Sequence, residues 1–158
     1  MNPLRIFATV LSMIGAFSLV TYFITDHMSP PELDPSQAAM DITRPRAPSE
    51  ARSIKNPLPE SQEVVDGGRT LYLGKGNCYV CHGKEGRGDG DGGAMLNPPP
   101  RDLTDPAFQM LRNDGEIFWS IKEGVAGSGM FAAVPRMITE EDAWKIVRYV
   151  RTLKPPIG

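Results

Sequence analysis

The stretch Cys78-Tyr79-Val80-Cys81-His82 has the spacing Cys-x-x-Cys-His, which is typical of covalent c-type haem attachment. Cys78 and Cys81 are three residues apart, so they lie on one side of a helical turn. From there both thiols can reach the two vinyl groups on one edge of a porphyrin. His82 follows at once and is placed to bind the iron as its proximal axial ligand. The motif therefore predicts one haem c, covalently attached through both cysteines.

Three other uses of a Cys-x-x-Cys pair agree less well with this sequence. A thioredoxin-type redox motif accompanies a βαβ pattern, and the sequence shows none. A zinc site needs four ligands, whereas the whole chain has two Cys and two His. A structural disulfide across two intervening residues is strained and uncommon. Haem attachment is the interpretation that fits both the motif and its surroundings.

The sequence around the motif resembles that of class I c-type cytochromes. The resemblance rests on Gly68-Arg-Thr-Leu-Tyr72, Lys75-Gly-Asn-Cys-Tyr-Val-Cys-His-Gly83, Met130 after a Gly-rich loop, and a closing helix with Trp144 and Tyr149. It covers about residues 61–154 and implies a small all-helical haem domain that carries single electrons and is not an enzyme. In that family a Gly and an aromatic residue four positions later meet the last helix, so Gly68 and Tyr72 are expected to cross it near Tyr149.

Capping residues and apolar spacing predict the helices of this domain. Ser61 caps a helix from about Gln62 to Lys75, and Asp105 caps a short helix that starts at Pro106. A third helix is predicted over residues 114–123, where Gly124 ends it, and Thr139 caps the last.

A second set of site residues follows the motif in a proline run. A ligating His usually donates its other ring N–H to an acceptor that fixes its orientation. In class I cytochromes this acceptor is a Pro carbonyl, so the resemblance implies that Pro98, Pro99 or Pro100 serves His82, without indicating which. Arg101 is interpreted either as a partner of a haem propionate or as an ordinary exposed arginine.

The sixth iron ligand is expected to be a methionine. The only other histidine, His27, lies near the N-terminal apolar segment, which makes bis-His ligation improbable and leaves a Met or an open site. Four methionines follow the motif: Met95, Met110, Met130 and Met137. Met130 alone lies in a Gly-rich loop between two helices, although the family usually has Pro where this chain has Phe131. Met130 is the predicted ligand, Met137 is the alternative, and a Met that only fills the core is the third possibility.

Residues 6–24 form an apolar run without a charged residue, long enough to cross a bilayer as a helix. A removed secretory signal is the alternative, but no small-residue cleavage site follows. We therefore expect residues 1–27 to be an uncleaved single-pass anchor. Arg5 precedes the run and Asp26 follows it, so the positive-inside rule places the remaining chain outside. The predicted location is a bacterial inner membrane with the haem domain on the periplasmic side, which agrees with c-type attachment occurring outside the cytoplasm.

The remaining chain divides into a Pro-rich extended linker, residues 28–60, and the haem domain, residues 61–158. The linker is interpreted either as a flexible tether or as an ordered strap along partner subunits. The net charge of −2 argues against a nucleic-acid partner.

The predicted architecture is thus an all-α cytochrome c domain preceded by one transmembrane helix and a linker. A haem bound by His and Met has no vacant site for a substrate, so the expected function is outer-sphere electron transfer. We expect a subunit of a larger respiratory or photosynthetic membrane complex, with another redox protein as donor or acceptor. The alternatives are a tethered shuttle outside a stable complex, an open-site haem sensor or enzyme, and a mainly structural subunit.

Overall fold

The computed structural model describes residues 11–22 and 45–153, which fall in two separate units of the chain. In the first unit, residues 11–22 are helical and their side chains are exposed. Within the described ranges no helix has both the length and the apolar character needed to cross a membrane. The rest of the predicted anchor and residues 28–44 of the predicted linker lie outside the described residues, so the transmembrane helix stays a prediction.

The second unit is built from helices. Between residues 45 and 153 these are α1 (Ser49–Arg52), α2 (Gln62–Leu73), α3 (Cys78–His82), α4 (Pro106–Leu111), α5 (Asp114–Glu123) and α6 (Glu140–Val150), with a 3-10 turn at Asp91–Gly93. No strand occurs in this range. The all-helical character predicted for the haem domain is therefore confirmed.

Capping side chains set where the four longer helices begin. In α2, α4, α5 and α6 the capping side chain accepts a hydrogen bond from a backbone N–H two or three residues later; the caps are Ser61, Asp105, Asn113 and Thr139. Helix α2 ends at Leu73, two residues before the predicted Lys75, because Gly74 leaves the helical conformation with ψ −114°.

Helices α2 and α6 cross at Gly68, as the resemblance implied. A Cβ atom on Gly68 would collide with the carbonyl oxygen of Lys145 and come within 2.9 Å of Cβ of Tyr149. One turn later the rings of Tyr72 and Tyr149 meet edge to face, with centroids 5.3 Å apart. The absence of a side chain at Gly68 is thus what allows the two helices to approach so closely.

Neighbouring glycines in α2 provide a matched test of this crossing. Gly68→Ala should lower the free energy of unfolding by about 3 kcal/mol, because the added methyl group meets backbone that cannot move aside. At Gly67 an added Cβ would lie 3.7 Å from Cδ of Lys145, an ordinary contact. Gly67→Ala should therefore be neutral or gain up to about 1 kcal/mol of helix propensity. Denaturant unfolding of the haem-loaded protein measures both, and equal effects would contradict the close crossing.

Residues 45–60, which the sequence assigned to the linker, pack on the domain that follows them. Ala51 of α1 is fully buried against α5, where a Cβ on Gly115 would collide with the Ala51 carbonyl oxygen. Asn56 Nδ2 donates to the Trp144 carbonyl at 3.1 Å, and Arg148 Nε donates to the Leu58 carbonyl at 3.2 Å. The predicted boundary at residue 61 is therefore too late in the chain, since residues 45–60 belong to the same compact unit.

Candidate haem site

A cavity of about 210 Å³ lies beside α3. A single water needs only about 10–15 Å³, so the cavity is large enough for a sizeable ligand. Most of its wall is apolar and comes from α4, α5, α6 and the segment between α3 and α4, including Leu96, Leu103, Phe108, Ile117, Ile121, Ile146 and Val150. All the predicted site residues line this one cavity: Cys78, Cys81, His82, Pro98, Pro99, Pro100, Arg101 and Met130.

Helix α3 presents the two cysteines and the histidine to the cavity. It is only five residues long, and the backbone turns sharply on both sides of it, with φ 52° at Asn77 and φ 77° at Gly83. The buried hydroxyl of Tyr72 donates to the Gly83 carbonyl at 2.7 Å and so ties the end of α3 to α2. Burial raises the pKa of the Tyr72 hydroxyl well above its usual value. The hydroxyl is therefore protonated and remains a donor at physiological pH.

The thiols of Cys78 and Cys81 are partly buried and not joined by a disulfide. Burial raises the pKa of the Cys78 thiol to about 12, so the thiol is neutral at physiological pH. Its Sγ lies 3.6 Å from the Gly76 carbonyl oxygen, a distance typical of a weak S–H hydrogen bond. Within the described ranges no group of three or more His, Cys, Asp and Glu is placed to hold a metal ion.

The imidazole of His82 is oriented by a backbone carbonyl. Its Nδ1 lies 2.9 Å from the carbonyl oxygen of Arg101, which assigns the proton to Nδ1 and leaves Nε2 as the nitrogen that would bind iron. The predicted acceptor, a carbonyl of Pro98, Pro99 or Pro100, is therefore corrected to the next residue. The sequence placed the proline run near the histidine, but the backbone dihedrals of the run decide which carbonyl faces the ring.

Met130 is the candidate distal ligand that the structure brings to the cavity. Met137 packs against the hydrophobic core without lining the cavity. Met95 and Met110 are 95% and 52% exposed, respectively, and neither lines the cavity. Of the four methionines considered from the sequence, Met130 alone therefore shares the cavity with His82.

The guanidinium of Arg101 contacts an aromatic ring that the sequence did not indicate. The guanidinium of Arg101 lies over the ring of Phe108, 5.6 Å from its centroid, and both residues line the cavity.

Ile117 and Ile121 of α5 also face the cavity, whereas Phe118 stacks on Trp144 with centroids 3.9 Å apart. The apolar side chains of α5 are thus divided between the cavity wall and the packing against α6.

Sequence reasoning missed a buried charge on the cavity wall. The carboxylate of Glu116 is only 3% exposed and faces three arginines: Arg46 at 3.2 Å, Arg52 at 3.5 Å and Arg112 at 3.8 Å. Such pairing offsets the cost of removing a carboxylate from water. The capping pattern Asn113-x-x-Glu116 was a usable signal for the start of α5, but it does not indicate that the carboxylate is buried.

These residues fit haem c. Two thiols on one helical turn, an imidazole held through Nδ1, and an apolar cavity of ligand size are what covalent attachment and iron ligation require. The fold and the site together define a small helical domain that binds haem covalently.

Comparison with known proteins identifies the family. The family model "Cytochrome c" matches residues 65–154, more than half of the chain. The chain therefore belongs to the cytochrome c family and carries a haem c attached through Cys78 and Cys81.

A solved structure shares the fold. A chain of the reducing HAO-like protein complex of Kuenenia stuttgartiensis superposes with a TM-score of 0.55 at 24% sequence identity. The match covers 73% of this chain and 54% of that one, so this chain corresponds to about half of its length. At this identity the likeness shows the fold alone. A comparison with curated proteins found no match.

Proposed function

We propose that this protein is a membrane-anchored monohaem cytochrome that passes single electrons within a larger membrane complex. Electron transfer as such follows from membership of the family. Electron transfer at a haem with no open site is supported by one observation: the cavity that receives the Cys-x-x-Cys-His motif also has Met130 on its wall. When bound there, haem c supplies the reversible change between ferric and ferrous iron.

The residues of the chain have separate roles in this proposal. Cys78 and Cys81 hold the cofactor through thioether bonds, so it is not lost when the iron changes charge. His82 would bind the iron through Nε2, while the Arg101 carbonyl orients its ring through Nδ1. Met130 lies on the wall of the same cavity and would supply a thioether to the bound haem. Iron held by both His82 and Met130 would leave no position for a substrate, and this favours electron transfer over the open-site sensor or enzyme.

The surface around the cavity supports transfer to a protein partner. Phe131 follows the proposed ligand, lines the cavity and is 63% exposed, so it forms part of the rim. Residues 61–158 carry twelve Lys and Arg against thirteen Asp and Glu, which gives this region a net charge of −1. This near-neutral balance gives no indication of the charge of the donor or acceptor.

The apolar N-terminal run supports the membrane anchor. Residues 11–22 are helical, and large apolar side chains are exposed along them, among them Leu11, Met13, Ile14, Phe17 and Leu19. A continuous exposed apolar surface of this kind is unfavourable in water and favourable in lipid. The absence of charge over residues 6–24 fits the same interpretation.

Membrane attachment is tested by placing charges in this run. The double variant Ile14→Lys with Phe17→Lys should lose membrane association, because each buried lysine costs about 2.5–3.5 kcal/mol at a helix centre. The matched control, Ile14→Leu with Phe17→Leu, should remain in the membrane fraction after a high-salt wash.

Extraction of the unaltered protein in mild detergent should yield a multi-subunit complex. A wild-type protein that appears in the supernatant would contradict the anchor, and a monomeric, fully active extract would leave only the tethered shuttle.

A further inference from the structure

The loop that carries Met130 is closed by its own hydrogen bonds. The backbone N–H of Val125 donates to the Met130 carbonyl at 2.9 Å, which joins the two ends of the loop. Between them, the hydroxyl of Ser128 donates to the Val125 carbonyl at 2.8 Å and accepts from the backbone N–H of Met130 at 3.1 Å. One side chain therefore bridges the start of the loop and the backbone of the proposed ligand.

The surroundings hold this loop against the rest of the domain. The backbone N–H of Ala133 donates to the Ile121 carbonyl at 3.0 Å, which attaches the chain after the loop to α5. Gly129 is packed against the side chain of Leu96, where a Cβ would lie 2.5 Å from Cδ2. Ser128, Gly129 and Met130 all line the cavity. The loop thus has a closed form that places Met130 on the cavity wall.

We propose that Ser128 is a positioning residue for the distal ligand; this inference rests on the proposed assignment of Met130 to the iron. Release of the thioether requires the loop to open, and opening breaks both hydrogen bonds of the Ser128 hydroxyl. Phe131, the next residue, does not restrict its own φ as a proline would. The hydroxyl therefore supplies a restraint that biases the loop toward the form in which Met130 reaches the distal face.

The test compares three variants of the haem-loaded protein: Ser128→Ala, Ser128→Thr and Ser53→Ala. Ser53 is a matched control, because its hydroxyl also donates to a carbonyl three residues back, that of Glu50 at 2.8 Å, outside the cavity. The readout is the affinity of ferric haem for added imidazole, which can bind only when the thioether has left. Ser128→Ala should bind imidazole about tenfold more tightly, since two hydrogen bonds no longer oppose opening. Ser128→Thr keeps the hydroxyl and should behave as wild type, as should Ser53→Ala.

Two further measurements separate this inference from the ligand assignment. If Met130→Ala loses the far-red thioether–iron absorption band while Ser128→Ala keeps wild-type imidazole affinity, the positioning role is wrong and the ligand assignment stands. If Met130→Ala keeps the band, the assignment fails and the positioning role fails with it. A merely structural Ser128 would lower the denaturation midpoint of the Ser128→Ala variant without changing its imidazole affinity, and this result would also overturn the proposal.

Discussion

Replacing both Cys78 and Cys81 with Ala is expected to abolish covalent haem attachment and leave the domain around α3 poorly folded. The thioether bonds are the only covalent link to the cofactor, so haem should separate from the chain under denaturing conditions. Folding should suffer as well, because residues of α4, α5 and α6 surround a cavity that the porphyrin would fill. An unfilled apolar cavity of this size leaves its lining without contacts.

Haem staining on a denaturing gel and circular dichroism measure the two effects. The single variants Cys78→Ala and Cys81→Ala serve as controls, since each keeps one thioether bond and should still stain. Haem signal that persists on the gel in the double variant would refute covalent attachment through these residues. A double variant that folds normally without haem would show that the protein core does not depend on the cofactor.

Met130→Ala and Met137→Ala are expected to separate ligation from packing. Met130→Ala should open the distal site, so that ferrous iron binds carbon monoxide and the reduction potential falls, because thioether ligation raises the potential. Met137 packs on the hydrophobic core and does not line the cavity. Its replacement should leave the spectrum and potential unchanged but lower the free energy of unfolding by about 2 kcal/mol.

Carbon monoxide titration, redox titration and denaturant unfolding of both variants provide the comparison. A spectrum that changes in Met137→Ala and not in Met130→Ala would reverse the ligand assignment. Carbon monoxide binding by the unaltered ferrous protein would instead support the open-site alternative.

The attachment motif and the starts of the helices were predictable because their requirements are local. Covalent chemistry demands Cys78, Cys81 and His82 at this spacing, and α3 presents them accordingly. Capping residues such as Ser61 and Thr139 act within one turn, so they mark helix starts without knowledge of the fold. The crossing at Gly68 was implied by family resemblance, and the structure confirms it through the close approach of Lys145 and Tyr149.

Other features depend on residues far apart in the chain, and only the tertiary structure decided them. The carbonyl that orients His82 belongs to Arg101 because of how the proline run turns, which no residue type specifies. Arg46 reaches Glu116 across 70 residues, and Asn56 reaches the Trp144 carbonyl across 88. A Pro-rich composition shows that residues 45–60 do not form a long helix, but not where their backbone polar groups find partners. Those groups pair with the helices of the domain, because a segment packed on a protein surface must satisfy its backbone N–H and C=O groups there. The predicted linker residues 45–60 are therefore part of the haem unit.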